Sequence, residues 1–232
     1  MKVIYCTLIV LLGVIMHSHA QELSQEFKNM YAKLEKLNTF QFVVDYTSND
    51  TTEFTEEGKI SVLITPQGYF YQTPFCEVLI NAKNTILIND EDRMIIYSEN
   101  RQLEKKEETF SFAHLIKGVD TLAAKADSVY FSFDGLERVY HLRFANQYFD
   151  LIELRFAGDL LKHVDYYYNE RLVERSGIKA TNEITLIENP TYNTAIFDTD
   201  FYFTNQNGKM VPTESFSSYG IVYNESTDEF LR

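Results

Sequence analysis

The chain has 232 residues, with 34 acidic against 21 basic side chains, a formal net charge of −13 and a rich supply of ring residues, 16 Tyr and 18 Phe without a Trp. Such acidity excludes nucleic acid as a partner and argues against unaided docking on an anionic membrane, because both are held by Lys and Arg. Two cysteines, one of them in the N-terminal apolar run, exclude a disulfide framework.

Lys2 precedes an apolar run, Val3–Met16, interrupted only by Thr7 and Gly13, and Ser18-His19-Ala20 places small residues at positions −3 and −1 before Gln21. This pattern predicts a cleavable secretory signal over residues 1–20, cut after Ala20; the apolar core is too short to cross the ~30 Å of a bilayer. Cys6 lies early in that run with no lipobox around it, so no lipid anchor is expected. The mature chain then has 212 residues (232 − 20) and, with Lys2 gone, a charge near −14 (20 − 34). Its size suits one large core. Cys76, within Pro74–Leu79, reads as a buried small hydrophobe.

Leu23, Phe27, Met30, Tyr31, Leu34 and Leu37 recur at helical spacing and predict an amphipathic helix over Gln21–Leu37. The period then falls to two. Strands are expected at Phe40–Tyr46, Ile60–Ile64, Tyr69–Gln72, Cys76–Ile80, Thr85–Ile88 and Met94–Tyr97, separated by turn signals such as Thr65-Pro66-Gln67-Gly68. Thr109–Lys125 breaks this rhythm and reads as two short helices split at Gly118. Strands return at Ser128–Phe133, Val139–Phe144, Leu151–Phe156 and Leu160–Tyr168, with Gly135 and Gly158 at turns. Gly177–Ile187 suggests one irregular strand and Asp200–Thr204 a last one. The polar stretch after Asn207 reads as a C-terminal extension, open between strand, cap and flexible arm.

Nucleotide-loop, nucleophile-elbow and zinc-helix motifs are absent. After cleavage the histidines are His114, His141 and His163, without ligand spacing; His141 and His163 lie in alternating strands and read as solvent-facing or satisfied imidazoles. No catalytic residue, metal or cofactor is expected, and the chain is not read as an enzyme.

One strand face carries Phe42, Val44, Tyr46, Ile60, Val62, Ile64, Phe131, Leu142, Phe144, Leu154, Phe156, Val164 and Tyr166. Such a face is either ordinary core or the wall of a cavity for an apolar guest. Phe110, Phe112, Leu115 and Ile116 would form a helical lid over it. The expected fold is mainly β (α+β): an antiparallel half-open barrel, with an N-terminal helix and a central helical segment on its concave apolar face.

The order of elements resembles the LolA-like periplasmic carriers of outer-membrane lipoproteins. Met30–Leu37 with Phe40–Tyr46, then Gly58–Thr65, Tyr69–Gln72, Cys76–Asn84 and Thr85–Tyr97, look like that family's first helix and early strands. Leu151–Phe156, Leu160–Tyr168 and Asp200-Phe201-Tyr202-Phe203 look like its late strands. Two features depart from it. Tyr69-Phe70-Tyr71-Gln72 lacks the Arg that faces the cavity in the family, and Asn81–Asn84 replaces its Asp-Gly turn before a Trp strand. The resemblance implies a domain over residues 21–207 with an extension at 208–232, in a periplasmic protein. It implies carriage of lipid or acylated lipoprotein, no chemistry, and envelope proteins for loading and unloading. A periplasmic sensor or envelope-assembly module of the same fold is the alternative.

Overall fold

The computed structural model describes residues 19–49, 55–100, 112–145, 147–173 and 177–224, with side chains at all of these except 55, 112–117 and 172–173. The chain divides into two compact units. Unit 1 comprises Met1–Lys36, Asp45–Glu57 and Phe110–Thr185; unit 2 comprises Leu37–Val44, Gly58–Thr109 and Leu186–Arg232.

Helix α1 occupies residues 19–34 of the described chain. Strands β1 (Phe40–Asn49), β2 (Thr55–Thr65), β3 (Gly68–Gln72), β4 (Cys76–Asn81), β5 (Asn84–Asn89) and β6 (Met94–Glu99) follow, then helix α2 (Phe112–Lys125). Next come β7 (Ser128–Asp134), β8 (Glu137–Arg143), β9 (Phe149–Ala157), β10 (Leu160–Tyr168), a single turn of helix α3 (Glu170–Val173) and β11 (Lys179–Glu188). Two 3-10 turns, Thr194–Phe197 and Thr199–Phe201, lead to β12 (Phe203–Gln206), β13 (Lys209–Pro212) and β14 (Gly220–Tyr223). Twelve strands pair in the order β14-β6-β5-β4-β3-β2-β1-β11-β10-β9-β8-β7, with β12 and β13 as a separate hairpin. The result is a mainly β fold, one large antiparallel sheet not closed into a barrel, as the alternating sequence leads one to expect. The β14–β6 pair is parallel.

In unit 1 the alternation is clean. Val129, Tyr140, Leu142, Ile152, Leu154, Phe156 and Val164 point to one face and form a buried cluster with Leu23 and Phe27 of α1 and Ala123 of α2. Phe27 meets Phe156 edge-on at 5.4 Å. The helix residues in this cluster recur every three to four positions, as an apolar stripe requires. Helix α2 runs unbroken through Gly118, where two short helices were expected. Gly118 is exposed and a Cβ there would meet nothing, so no neighbour bends the chain. The packing of Val119, Leu122 and Ala123 offsets the ~1 kcal/mol that Gly costs a helix.

The opposite face of β7–β11 is largely polar, although Val139 on β8 is buried there. Glu153 on β9 is 9% exposed and Asp165, its cross-strand partner on β10, is 4% exposed. Arg155 Nη2 lies 3.2 Å from Glu153 Oε2 and Nη1 lies 2.8 Å from Asp134 Oδ2, while Lys179 Nζ lies 3.1 Å from Asp165 Oδ2. Both ring nitrogens of His141 are hydrogen-bonded, to Ser132 and to Glu153, which makes it the satisfied imidazole of the two expectations.

Unit 2 is built differently, because both faces of its strands are apolar. Leu63, Leu79, Ile86, Ile88, Ile95 and Tyr97 face one way and are buried by Phe197, Tyr202 and Phe203 from the end of the chain. Tyr202 is fully buried, and its hydroxyl donates to the Ile196 carbonyl at 2.8 Å. Residues 200–204, expected as a strand, are split between a 3-10 turn and the start of β12. The hairpin β12–β13 turns at Asn207-Gly208, both with left-handed φ (+53° and +81°). The tight approach of β3 to β4 needs a glycine: a Cβ on Gly68 would stand 2.3 Å from the Ile80 carbonyl oxygen.

Candidate functional site

The sequence nominated thirteen residues of one apolar face, and the structure places them in three settings. Phe131, Leu142, Phe144, Leu154, Phe156, Val164 and Tyr166 come together in unit 1, in or against the buried cluster under α1 and α2. Five of these seven are almost without solvent contact, so their face is filled by the protein's own helices. Ile60, Val62 and Ile64 lie on β2 in unit 2, on the face opposite Leu63. Phe42, Val44 and Tyr46 alternate along β1, all half-buried, and Phe42 packs edge-on against Phe40 at 5.5 Å. Of the lid residues, Phe110 lies outside the described residues, as do the side chains of Phe112, Leu115 and Ile116 in α2.

The unit 2 face carrying Val62 continues across the sheet. Register puts Val62 beside Tyr71, Tyr71 beside Val78, Val78 beside Leu87 and Leu87 beside Ile96. This is an apolar row five strands wide, about 19 Å at the ~4.8 Å spacing of neighbouring strands. Val62, Val78, Leu87 and Ile96 are half-buried and belong to neither buried cluster of the described residues. The opposite face of the same strands is closed by the C-terminal segment. An apolar row that the described core does not use can hold an apolar guest. Tyr71, Val78, Leu87 and Ile96 were not among the nominated residues, although strand alternation from Val62 extends to them once register is known.

In unit 1 a cavity of about 310 Å³ opens between α1, which contributes Glu22, Gln25, Glu26 and Asn29, and the strands carrying Phe131, Arg138 and Tyr140. Arg138 grips α1 from β8: its Nε lies 2.7 Å from Glu26 Oε1, and Nη2 donates to Glu26 Oε2 at 2.9 Å and to the Gly158 carbonyl. The Tyr140 hydroxyl donates to Glu26 Oε1 at 3.4 Å. Burial, then the Glu26 and Glu22 carboxylates, push the pKa of that hydroxyl up, so it stays a donor. A strand arginine thus fastens the first helix from β8, while β3 carries none. No cluster of candidate metal ligands is present among the described residues, and none of their helices is long and apolar enough to cross a membrane.

No family model and no curated protein matches the chain. Solved structures to which it is similar include an uncharacterized conserved protein from Thermus thermophilus, at 10% identity over 85% of this chain and 98% of that one, with a TM-score of 0.44. A LolA superfamily protein from Nitrosomonas europaea is similar at 10% identity over 71% and 92%, with a TM-score of 0.31. The third is an outer membrane lipoprotein-sorting protein domain from Vibrio parahaemolyticus, at 11% identity over 78% and 98%, with a TM-score of 0.37. The proteins it resembles in structure therefore include LolA superfamily and lipoprotein-sorting members.

Proposed function

We propose that the protein is a periplasmic carrier that takes the acyl chains of lipids or lipoproteins onto an apolar sheet face. It passes them between membranes or partner proteins without making or breaking bonds. The observation that carries this is the Val62–Tyr71–Val78–Leu87–Ile96 row, apolar, half-buried and outside both buried clusters of the described residues. Each methylene buried there contributes ~0.8 kcal/mol, so one long chain supplies roughly 10 kcal/mol before ordering costs. The export signal expected at residues 1–20 supports the location. Envelope proteins that load and unload the carrier belong to the same proposal, as does a lid containing Phe110, Phe112, Leu115 and Ile116.

Mass spectrometry of organic extracts from the purified mature protein tests this. An acyl lipid should copurify, and Leu87→Asp should remove it while Lys59→Ala should not. Clean extracts from several preparations, or lipid retained by Leu87→Asp, would refute carriage. A periplasmic sensor or envelope-assembly module is the alternative, favoured by the exposed apolar side chains of Phe133 (69%) and Leu136 (97%) at the β7–β8 hairpin. Clean extracts would leave that function standing.

A further inference from the structure

Three side chains from three adjacent strands of unit 1 stand in line on the polar face of the sheet. Ser132 Oγ on β7 is 2.8 Å from Nε2 of His141 on β8. Nδ1 of the same ring is 2.9 Å from Oε1 of Glu153 on β9. An ionised carboxylate only accepts hydrogen bonds, so in the neutral imidazole Nδ1 carries the proton and Nε2 presents its lone pair to the serine hydroxyl. The other carboxylate oxygen of Glu153 accepts from Arg155 Nη2 and from the Tyr167 hydroxyl, each at 3.2 Å. Tyr130 lies flat on the imidazole, 4.3 Å away and tilted by only 7°. Glu153 sets the tautomer, while Tyr130 holds the ring plane and Arg155 and Tyr167 hold the carboxylate from outside the trio.

We propose that Ser132 is a nucleophile toward carboxylic esters, with His141 as its general base and Glu153 as the positioning residue that orients the ring. A serine that only pairs across a sheet needs one neighbour. Here the orienting acid is buried, and its desolvation cost is offset by the Arg155 guanidinium, which it shares with Asp134, and by the Tyr167 phenol. The order of atoms, hydroxyl to Nε2 and Nδ1 to carboxylate, is the one that proton transfer from a serine requires.

A donor for the developing oxyanion is also at hand. Asp134 and Glu137 flank the two-residue turn Gly135-Leu136, in which Gly135 has φ +61°. Residues flanking such a turn exchange both main-chain bonds, and the bonded pairs then alternate along the hairpin. Ser132 and Val139 are thus a bonded pair, and the N–H of Phe133 turns to the outer side of β7, the last strand of the sheet. Among the described residues that N–H lies outside the ladder, one position after the nucleophile.

The step balances without any further reagent. Ser132 Oγ bonds to the ester carbonyl carbon while its proton passes to His141 Nε2. Collapse of the tetrahedral intermediate breaks the bond to the alcohol oxygen, which leaves with that proton. Water then repeats the sequence on the acyl-serine, releasing the acid and restoring the hydroxyl. The trio lies on a sheet face, so the substrate class is esters with an unhindered carbonyl. This chemistry goes beyond the proposed carriage, which uses unit 2 and forms no bond.

The test is covalent labelling of the full chain with a fluorophosphonate, read by intact-mass and peptide mass spectrometry. One adduct is expected, on Ser132. Ser132→Ala should take no label, and His141→Gln should slow labelling by about 100-fold. Glu153→Gln should slow it and displace its pH profile, a change that a purely structural role would not produce. Thermal melts establish that each variant is folded, and an unfolded Glu153→Gln leaves Ser132→Ala and His141→Gln to decide. No adduct on the unmodified protein, an adduct elsewhere, or equal rates in folded His141→Gln would overturn the proposal.

Discussion

Ile86 and Leu87 are consecutive on β5 and point to opposite faces, which makes them a sharp probe of the unit 2 sheet. Ile86 is 0% exposed, lies between Leu79 and Tyr97 in register and belongs to the core closed by the C-terminal segment. Truncation to Ala removes three carbons and leaves a cavity, a loss of about 3 kcal/mol. For a chain of this size each kcal/mol shifts Tm by roughly 2–4 °C, so Ile86→Ala should melt about 6–12 °C early. Leu87 is half-buried and outside both buried clusters. Its truncation forfeits roughly half of a full burial and little cavity energy, about 1 kcal/mol and a shift of about 2–4 °C. Acyl-chain binding should respond in the opposite order. Displacement of a fluorescent fatty acid should weaken several-fold in Leu87→Ala and stay unchanged in folded Ile86→Ala. If Leu87→Ala melts as early as Ile86→Ala and binds normally, the face is packed core and the carriage reasoning fails.

Gly68→Ala should prevent native pairing of β3 with β4, because the added carbon meets the Ile80 carbonyl oxygen at 2.3 Å; loss of the cooperative melt by circular dichroism is the expected result. Arg138→Ala leaves Glu26 without its two guanidinium contacts and should cost about 2 kcal/mol, less than a fully buried pair because both side chains retain some solvent; denaturant unfolding measures it. Burial, then the nearby Asp90 charge, raise the pKa of Glu77 above its ordinary 4.5. The folded state therefore holds that proton more tightly than the unfolded one, and the ionised group lowers stability as pH rises from 4.5 through the raised value. Glu77→Gln should raise Tm at pH 7 and lose that advantage near pH 4. Tyr202→Phe deprives the Ile196 carbonyl of its 2.8 Å donor and should cost roughly 1–2 kcal/mol in the same unfolding assay.

Unit 1 was largely legible from sequence because its strands alternate. Leu160–Tyr168 has the expected bounds, and Val129, Leu142, Leu154 and Phe156 lie on one face as the period of two demands. Unit 2 was not, for a physical reason. Leu63 beside Val62, Ile86 beside Leu87 and Ile95 beside Ile96 make both faces apolar, so alternation cannot say which is core. That is decided by Phe197, Tyr202 and Phe203, roughly a hundred residues later in the chain. Asn207-Gly208 does carry a hairpin signal, a pair suited to two left-handed positions, which the expectation of a polar extension leaves unused. The four residues of β14 form a strand only because β6 offers an edge for parallel pairing. Ser132, His141 and Glu153 come together only once the register of three strands is known.

The seal that the end of the chain places on unit 2 also fixes when that unit can fold. Asn81 Nδ2 donates to the Phe197 carbonyl across 116 residues of sequence, and the Tyr219 hydroxyl donates to Asp90 across 129. A chain emerging from its N-terminus displays Leu79, Ile86, Ile88 and Ile95 to solvent until residues 197–221 arrive to cover them. Contacts so distant close slowly, because the entropy of a long loop is lost before any burial compensates it. The partly emerged protein is thus a sticky intermediate, and its handling in the cell falls to whatever holds unfinished chains apart.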